Sequence, residues 1–316
     1  MTASVGAATH LRTISRELAH RCAVSEVFVT SLDDAGSGEF VVGAQLPRMH
    51  AYYGDHVGSL AARHDPLLVM EAARQAALAV SHEFYGVPPE MAFIVRTFNG
   101  AVVDGAAWEI GPAPADLVMS VRAPRQHRQD GVLHGLDMVL DIECDGTPML
   151  TVDGSFSWTT PARWARLRSG FRESLGLGPF RGAVAPAEQA VAATVGRENR
   201  RNVVIGPPSS AADGSAAAVI VADTTHPFLF DHQLDHVPGS LLLEACRQLG
   251  LTLVGGESPR LAGIASTFEK FVELDLPAEC RAVVAEREVG RTLLHCEIEQ
   301  TGAITARIEL EFAEGA

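Results

Sequence analysis

HPFLFDHQLDHVPGSLLLEACRQ, residues 226–248, carries the reading of the fold. His226, His232 and His236, with Asp231 and Asp235, crowd its first half, and Pro238-Gly239 then opens an apolar run. Proline and glycine at that place suit a helix start, so the spacing predicts a helix over 239–254. Glu244, Arg247 and Gln248 fall at i, i+3 and i+4 and share one helix face. The rest of the helix is apolar and is expected to be buried. A carboxylate there is costly unless it is paired or put to use.

The same grammar occurs earlier in the chain. A shift of 176 positions lays Arg21 on Arg197, Glu26-Val27 on Asn202-Val203, His50 on His226 and Asp55-His56 on Asp231-His232. HAYYGDH (50–56) and HPFLFDH (226–232) therefore share the form H-x4-D-H. With a three-residue slip, Glu71-Ala72-Ala73-Arg74-Gln75 falls on Glu244-Ala245-Cys246-Arg247-Gln248. Matches in one order along residues 21–75 mark a tandem duplication.

Each copy reads alike: an apolar strand (27–30, then 203–205), a second strand (40–46, then 217–222), the H-x4-D-H loop and a buried helix (66–83, then 239–254). Strands close each copy, at 116–122, 132–143 and 149–158 in the first and 281–287, 292–300 and 304–312 in the second. Turn residues at 145–147, 289–291 and 301–303 separate them. An antiparallel sheet wrapped around one long buried helix is an α+β roll, here expected twice. The expected division is 1–175, a linker over 176–194 rich in Gly, Pro and Ala, and 195–316. GLGPFRG (176–182) follows no strand and misses the G-x-G-x-x-G spacing, so no phosphate loop is read there.

The polar residues leave alternatives open. Glu244 and Arg247, like Glu71 and Arg74, make either an ion pair that fixes packing or a pocket carboxylate beside a cation for an anionic group. The histidines offer a general base oriented by a carboxylate, or bridges between loop and helix. H-x5-H-x3-H lacks an HExxH pattern or a cysteine partner, so no metal is expected. The N–H groups behind Pro238, with Gly239 first, suit a developing oxyanion. The first copy reads His64-Asp65-Pro66-Leu67, without the glycine.

Composition excludes other classes. A net charge of -14 argues against non-specific nucleic-acid binding, which needs clustered cations. No apolar run reaches the roughly 20 residues of a membrane span, and the first twenty residues hold no signal-peptide core. Cys22, Cys144, Cys246, Cys280 and Cys296 show no CxxC spacing. The expectation is a soluble cytoplasmic protein with reduced thiols.

The order P-F-x-x-D-H followed by P-G-x-L-L-x-E-A resembles the hotdog-fold β-hydroxyacyl-carrier-protein dehydratases, with His232 and Glu244 at the active-site positions and a shorter spacing between them. The full string DHQLDHVPGSLLLEACRQ is more similar to the A-factor biosynthesis proteins, the γ-butyrolactone synthases of actinomycetes. So are His20-Arg21 with 26–30, 195–197 with 202–204, and His64-Asp65-Pro66 with 70–75. That resemblance spans roughly residues 15–312 and implies a tandem double hotdog, an intramolecular pseudo-dimer.

The activity it implies is transfer of a β-ketoacyl group from an acyl-carrier-protein thioester to the hydroxyl of dihydroxyacetone phosphate, with no cofactor. On that reading His232 or Glu244 serves as base, His232 working with Glu244 or Glu71, and the N–H groups after Pro238, Gly239 first, polarise the thioester carbonyl. Arg21, Arg74, Arg197 and Arg247 are candidates for the phosphate, with Gln248, His56 and Asp231 also against substrate. Alternatives are another hotdog enzyme, a dehydratase or thioesterase, or a non-catalytic binder of acyl chains or lactones.

Overall fold

Along residues 291–300 burial alternates, with Thr292, Leu294, Cys296, Ile298 and Gln300 inward and charged residues such as Arg291, Glu297 and Glu299 outward. This period of two is that of a strand with one face on a core. A computed structural model describes residues 8–103, 105–255 and 259–314, and its strands and helices fall into two compact units.

The first unit comprises residues 1–48 and 66–180. It holds β1 (Val29–Gly36), β2 (Glu39–Leu46), α1 (Pro66–Glu83), β3 (Ala92–Val102), β4 (Ala115–Gln129), β5 (Val132–Cys144), β6 (Thr147–Thr159) and α2 (Pro161–Ser174). The strands pair antiparallel in the order β1-β2-β4-β5-β6-β3. In α1 only Pro66, Arg74, Ala77 and Glu83 escape burial. Each large apolar side chain withdrawn from water in this way contributes about 1.5–3 kcal/mol.

The second unit comprises residues 49–65 and 181–316. It holds β7 (Ser209–Ser210), β8 (Ala216–Val219), α3 (Gly239–Val254), β9 (Arg260–Phe268), β10 (Glu279–Glu288), β11 (Arg291–Gln300) and β12 (Ala303–Ala313). Its order, β7-β8-β10-β11-β12-β9, repeats that of the first unit strand for strand. Residues 241–250 of α3 are all buried. The units are not sequential halves, because 49–65 lies in the first repeat by sequence and packs with the second.

Both helices begin and end as the sequence reading expects. The 145–147 and 301–303 turns form with two successive residues at positive φ, Asp145-Gly146 at 50° and 73° and Thr301-Gly302 at 55° and 73°. That is the backbone of a tight two-residue hairpin. Residues 203–205 form no ladder: the Val204 N–H goes to a glutamine side chain, and Ile205 makes one isolated bridge with Ile220. Four elements were not expected, the two-residue β7 among them. Asn99-Gly100 and Gly263 interrupt the strand pattern in β3 and β9. For α2 the signal was present in Thr160-Pro161: the Thr160 hydroxyl accepts the Arg163 N–H at 3.3 Å, and Pro161 occupies the first turn.

Candidate functional site

In the first unit Glu71 is 4% exposed and gathers the repeat's polar residues around it. Arg21 reaches its Oε1 at 2.6 Å through Nη2, and Arg74 pairs with both oxygens at 2.8 Å through Nε and Nη2. Gln75 donates to Oε1 at 2.8 Å and to the Glu26 carbonyl at 2.8 Å, and its own oxygen accepts the Phe28 N–H at 2.9 Å. Burial pushes the Glu71 carboxyl up, but Arg21 and Arg74 outweigh it and bring the pKa down to about 2.

The second unit repeats this strut residue for residue. Arg197 donates to Glu244 Oε1 from Nε at 3.0 Å and Nη2 at 2.7 Å, and Gln248 adds a bond at 2.6 Å. Gln248 also donates to the Asn202 carbonyl at 2.8 Å and accepts the Val204 N–H at 2.9 Å. Arg247 Nη2 meets Glu244 Oε2 at 2.5 Å as an ion pair without hydrogen-bond alignment. In both copies the E-x-x-R-Q face therefore ties the extended segment before the second strand to the buried helix.

The second strut continues to a further acid and a histidine. Arg247 Nη1 donates to both oxygens of Asp65 at 2.7 Å, and Asp65 Oδ2 lies 2.9 Å from His56 Nε2. Arg197 Nη1 donates to the carbonyls of Tyr52 at 2.6 Å and Asp55 at 3.0 Å, with its guanidinium 4.9 Å from the Tyr52 ring centre. Charges thus alternate along Arg197, Glu244, Arg247 and Asp65 to His56. Burial raises the carboxyl pKa of both Glu244 and Asp65. The facing arginines reverse this, with His56 helping at Asp65, and hold both acids below their ordinary range. The Tyr52 hydroxyl, in a ring 2% exposed, has no partner among the described residues. Burial, and then Glu244, push its pKa well up.

The H-x4-D-H loops resolve into parts. His50 Nδ1 accepts the N–H groups of Tyr52 and Tyr53, both at 3.1 Å. His226 Nδ1 does the same for Phe228 at 3.2 Å and Leu229 at 3.0 Å, while its Nε2 faces Asn202 Oδ1 at 3.1 Å. The first histidine is thus a turn cap in both copies. Asp55 accepts from the Asn199 N–H at 3.0 Å and from Asn202 Nδ2 at 2.7 Å.

The remaining candidates are placed more loosely. His232 is exposed and Asp231 half-buried, and neither is held against Glu244. His236 pairs with Asp235 at 2.7 Å and packs against Phe271. With both nitrogens of His226 engaged, the three histidines do not converge on one point, and no metal-holding cluster lies among the described residues. Gly239 opens α3, and a Cβ there would lie 3.3 Å from the Phe268 ring. Its N–H and that of Ser240 precede the first intrahelical bond. Of the four arginines, Arg197 and Arg247 are enclosed, whereas the Arg74 side chain is 31% exposed and Nη1 makes no bond among the described residues.

The sequence reading missed Asp65, Tyr52 and Asn202. Asp65 had a signal, an acid directly before a proline-opened helix, which enters the sequence reading as a contrast with Pro238-Gly239 and in the family resemblance but not as a site residue.

Against known proteins, the A-factor biosynthesis hotdog domain matches the chain twice, at residues 2–160 and 182–313. Relatives named 2-oxo-3-(phosphooxy)propyl 3-oxoalkanoate synthase are similar along most of it. One from Streptomyces virginiae is 33% identical over 270 residues, 85% of this chain and 87% of that relative. One from Streptomyces coelicolor is 32% identical over 276 residues, 84% and 81%. One from Streptomyces griseus is 30% identical over 277 residues, 85% and 84%. Among solved structures, one described as an oleoyl thioesterase from Lactobacillus plantarum gives a TM-score of 0.55 at 9% identity, covering 89% of this chain and 98% of that one. An inactive mutant of the CurK dehydratase gives 0.50 at 11% identity, covering 89% and 95%. At such identities these two bear on the fold alone, a double hotdog.

Proposed function

This chain belongs to the A-factor biosynthesis hotdog family, and from that premise we propose that it moves a β-ketoacyl group from an acyl-carrier-protein thioester to the hydroxyl of dihydroxyacetone phosphate. The chain is an enzyme, an acyltransferase of the type for which its relatives are named. That name describes a product, the 3-oxoalkanoyl ester of a 2-oxo-3-phosphooxypropyl alcohol. Forming such an ester needs an activated acyl group and an acceptor with one free hydroxyl and one phosphate. The ester then closes toward a butenolide, a precursor of γ-butyrolactone signals. The observation that carries this reading is the similarity to three equally named relatives over some 85% of the chain.

The geometry supports a division of labour. Glu71 and Glu244 are ionised and buried, Glu71 with donors on both oxygens and Glu244 with three on Oε1 and the Arg247 ion pair at Oε2, which suits them to orienting arginines rather than to taking a proton. The proton acceptor is then sought at the second histidine of the H-x4-D-H loops, His56 or His232. The first-turn N–H groups at Gly239 and Ser240 are available to a thioester oxygen. Phosphate recognition falls to the arginines, of which Arg74 has donor capacity to spare.

The test is to incubate the full chain with a β-ketoacyl thioester and dihydroxyacetone phosphate and follow products by mass spectrometry. A phosphorylated ester, or the butenolide from it, is expected. Free acid formed whether or not the acceptor is present would replace this reading with a thioesterase. Lactone binding without any turnover would replace it with a regulator.

A further inference from the structure

We infer that His56, oriented by Asp65, is the general base that takes the proton from the acceptor hydroxyl; this rests on the acyl-transfer reading above. Asp65 is acceptor-only when ionised, and Arg247 Nη1 donates to both its oxygens. The contact at 2.9 Å therefore has one donor, the Nε2–H of His56. That fixes the tautomer: the proton sits on Nε2, and Nδ1 carries the free lone pair. Nδ1 makes no bond among the described residues, and the His56 side chain is 10% exposed, so it is sheltered but not sealed. A base aimed by a carboxylate, itself held by a third group, is the arrangement that activates hydroxyl nucleophiles. On the same segment the Tyr52 hydroxyl is buried without a hydrogen-bond partner among the described residues.

The repeat makes the assignment asymmetric. His232 is the counterpart of His56, but the residue matching Asp65 is Leu241 at the shift of 176 positions and Pro238 at the shift of 173. The second copy has no carboxylate at the matching place, and His232 is exposed. In the step itself, His56 Nδ1 accepts the hydroxyl proton as the oxygen bonds to the thioester carbonyl carbon. The tetrahedral intermediate then expels the thiolate, which takes that proton back from the imidazolium. Ester and free thiol leave, and His56 returns to its starting state.

His56→Ala in the full chain is expected to lower kcat by about 10²–10⁴-fold, with partial recovery on adding imidazole. His295→Ala, at an exposed histidine of β11, should stay within a few-fold of the parent. Asp65 is a positioning residue. Asp65→Asn puts an amide donor against Nε2, favours the wrong tautomer, and should lower kcat far more than it raises KM. Diethyl pyrocarbonate labelling, mapped by mass spectrometry, gives a readout free of turnover: His56 should react ahead of His226 and more slowly in Asp65→Asn. A His56→Ala rate within three-fold of the parent overturns the proposal. So does a rate loss that imidazole leaves untouched, or a His56 inert to the reagent. If the parent makes no ester at all, the acyl-transfer reading fails instead, and the labelling result still decides whether His56 is a poised base.

Discussion

Replacing Glu244 by alanine should cost far more than the same replacement at Glu71, although the two occupy equivalent places. Glu244 is 0% exposed, and its removal leaves Arg197 and Arg247, with side chains 1% and 6% exposed, without their shared carboxylate. Arg247 keeps Asp65, but Arg197 is left with carbonyl oxygens only. Breaking a buried pair and stranding its partner costs about 3–5 kcal/mol. At Glu71 the 31% exposed Arg74 can turn to water and Arg21 is 8% exposed, so about 1–3 kcal/mol is expected. In a domain of this size each kcal/mol lowers Tm by about 2–4 °C. Glu244→Ala should therefore shift the melting of its unit by about 6–20 °C. Trp108, Trp158 and Trp164 all lie in the first unit, so tryptophan emission follows Glu71→Ala, and hydrogen exchange across 239–254 follows Glu244→Ala. Removing the pair together, as Arg197→Met with Glu244→Leu, should recover most of the loss. Equal costs at the two glutamates, or a cost below about 1 kcal/mol at Glu244, would refute the strut.

Acid should act on the second unit through His226. Burial, and then Arg201, hold its pKa down to about 4 against an ordinary 6.5, and its Nδ1, which caps the turn, must be unprotonated to do so. Its stabilisation is full above pH 6.5 and falls away between 6.5 and 4, by at most about 3 kcal/mol. Urea midpoints compared at pH 7.5 and 4.5 should converge in His226→Gln; an unchanged pH slope would discard the cap. Glu71, with its pKa near 2, adds a loss in the first unit as pH falls from 4.5 toward 2, which Glu71→Gln should flatten. Gln248→Leu strands the Val204 N–H and Asn202 carbonyl and should cost about 1–3 kcal/mol, measured by chemical denaturation. Gly250→Ala places a Cβ 2.7 Å from Leu294 Cδ1, and overpacking of about 1–3 kcal/mol should appear as a lower Tm.

Most of the fold was legible because local rules governed it. A long apolar helix with three polar residues on one face, repeated at nearly constant offset, leaves little choice but burial inside a sheet, and hairpin turns such as Asp145-Gly146 mark the strand ends. The strands that escaped notice, β3 and β9, carry glycine and polar residues inside them and take their conformation from pairing with neighbours. The strut was legible as residue types and not as geometry. Spacing puts Glu244, Arg247 and Gln248 on one face, but nothing local brings Arg197 to them across the intervening chain.

The sequence alone determined that the chain is duplicated, where both helices run, and that Glu, Arg and Gln recur on them, since these depend on periodicity and composition. Only the tertiary structure decided how the H-x4-D-H loops are used. Their first histidines are spent on capping turns, and the segment 49–65 packs with the second unit, where Asp65 meets Arg247 and His56. That outcome rests on charge: burying Glu244 and two arginines demands a further acid, and the fold supplies it from a residue 182 positions away.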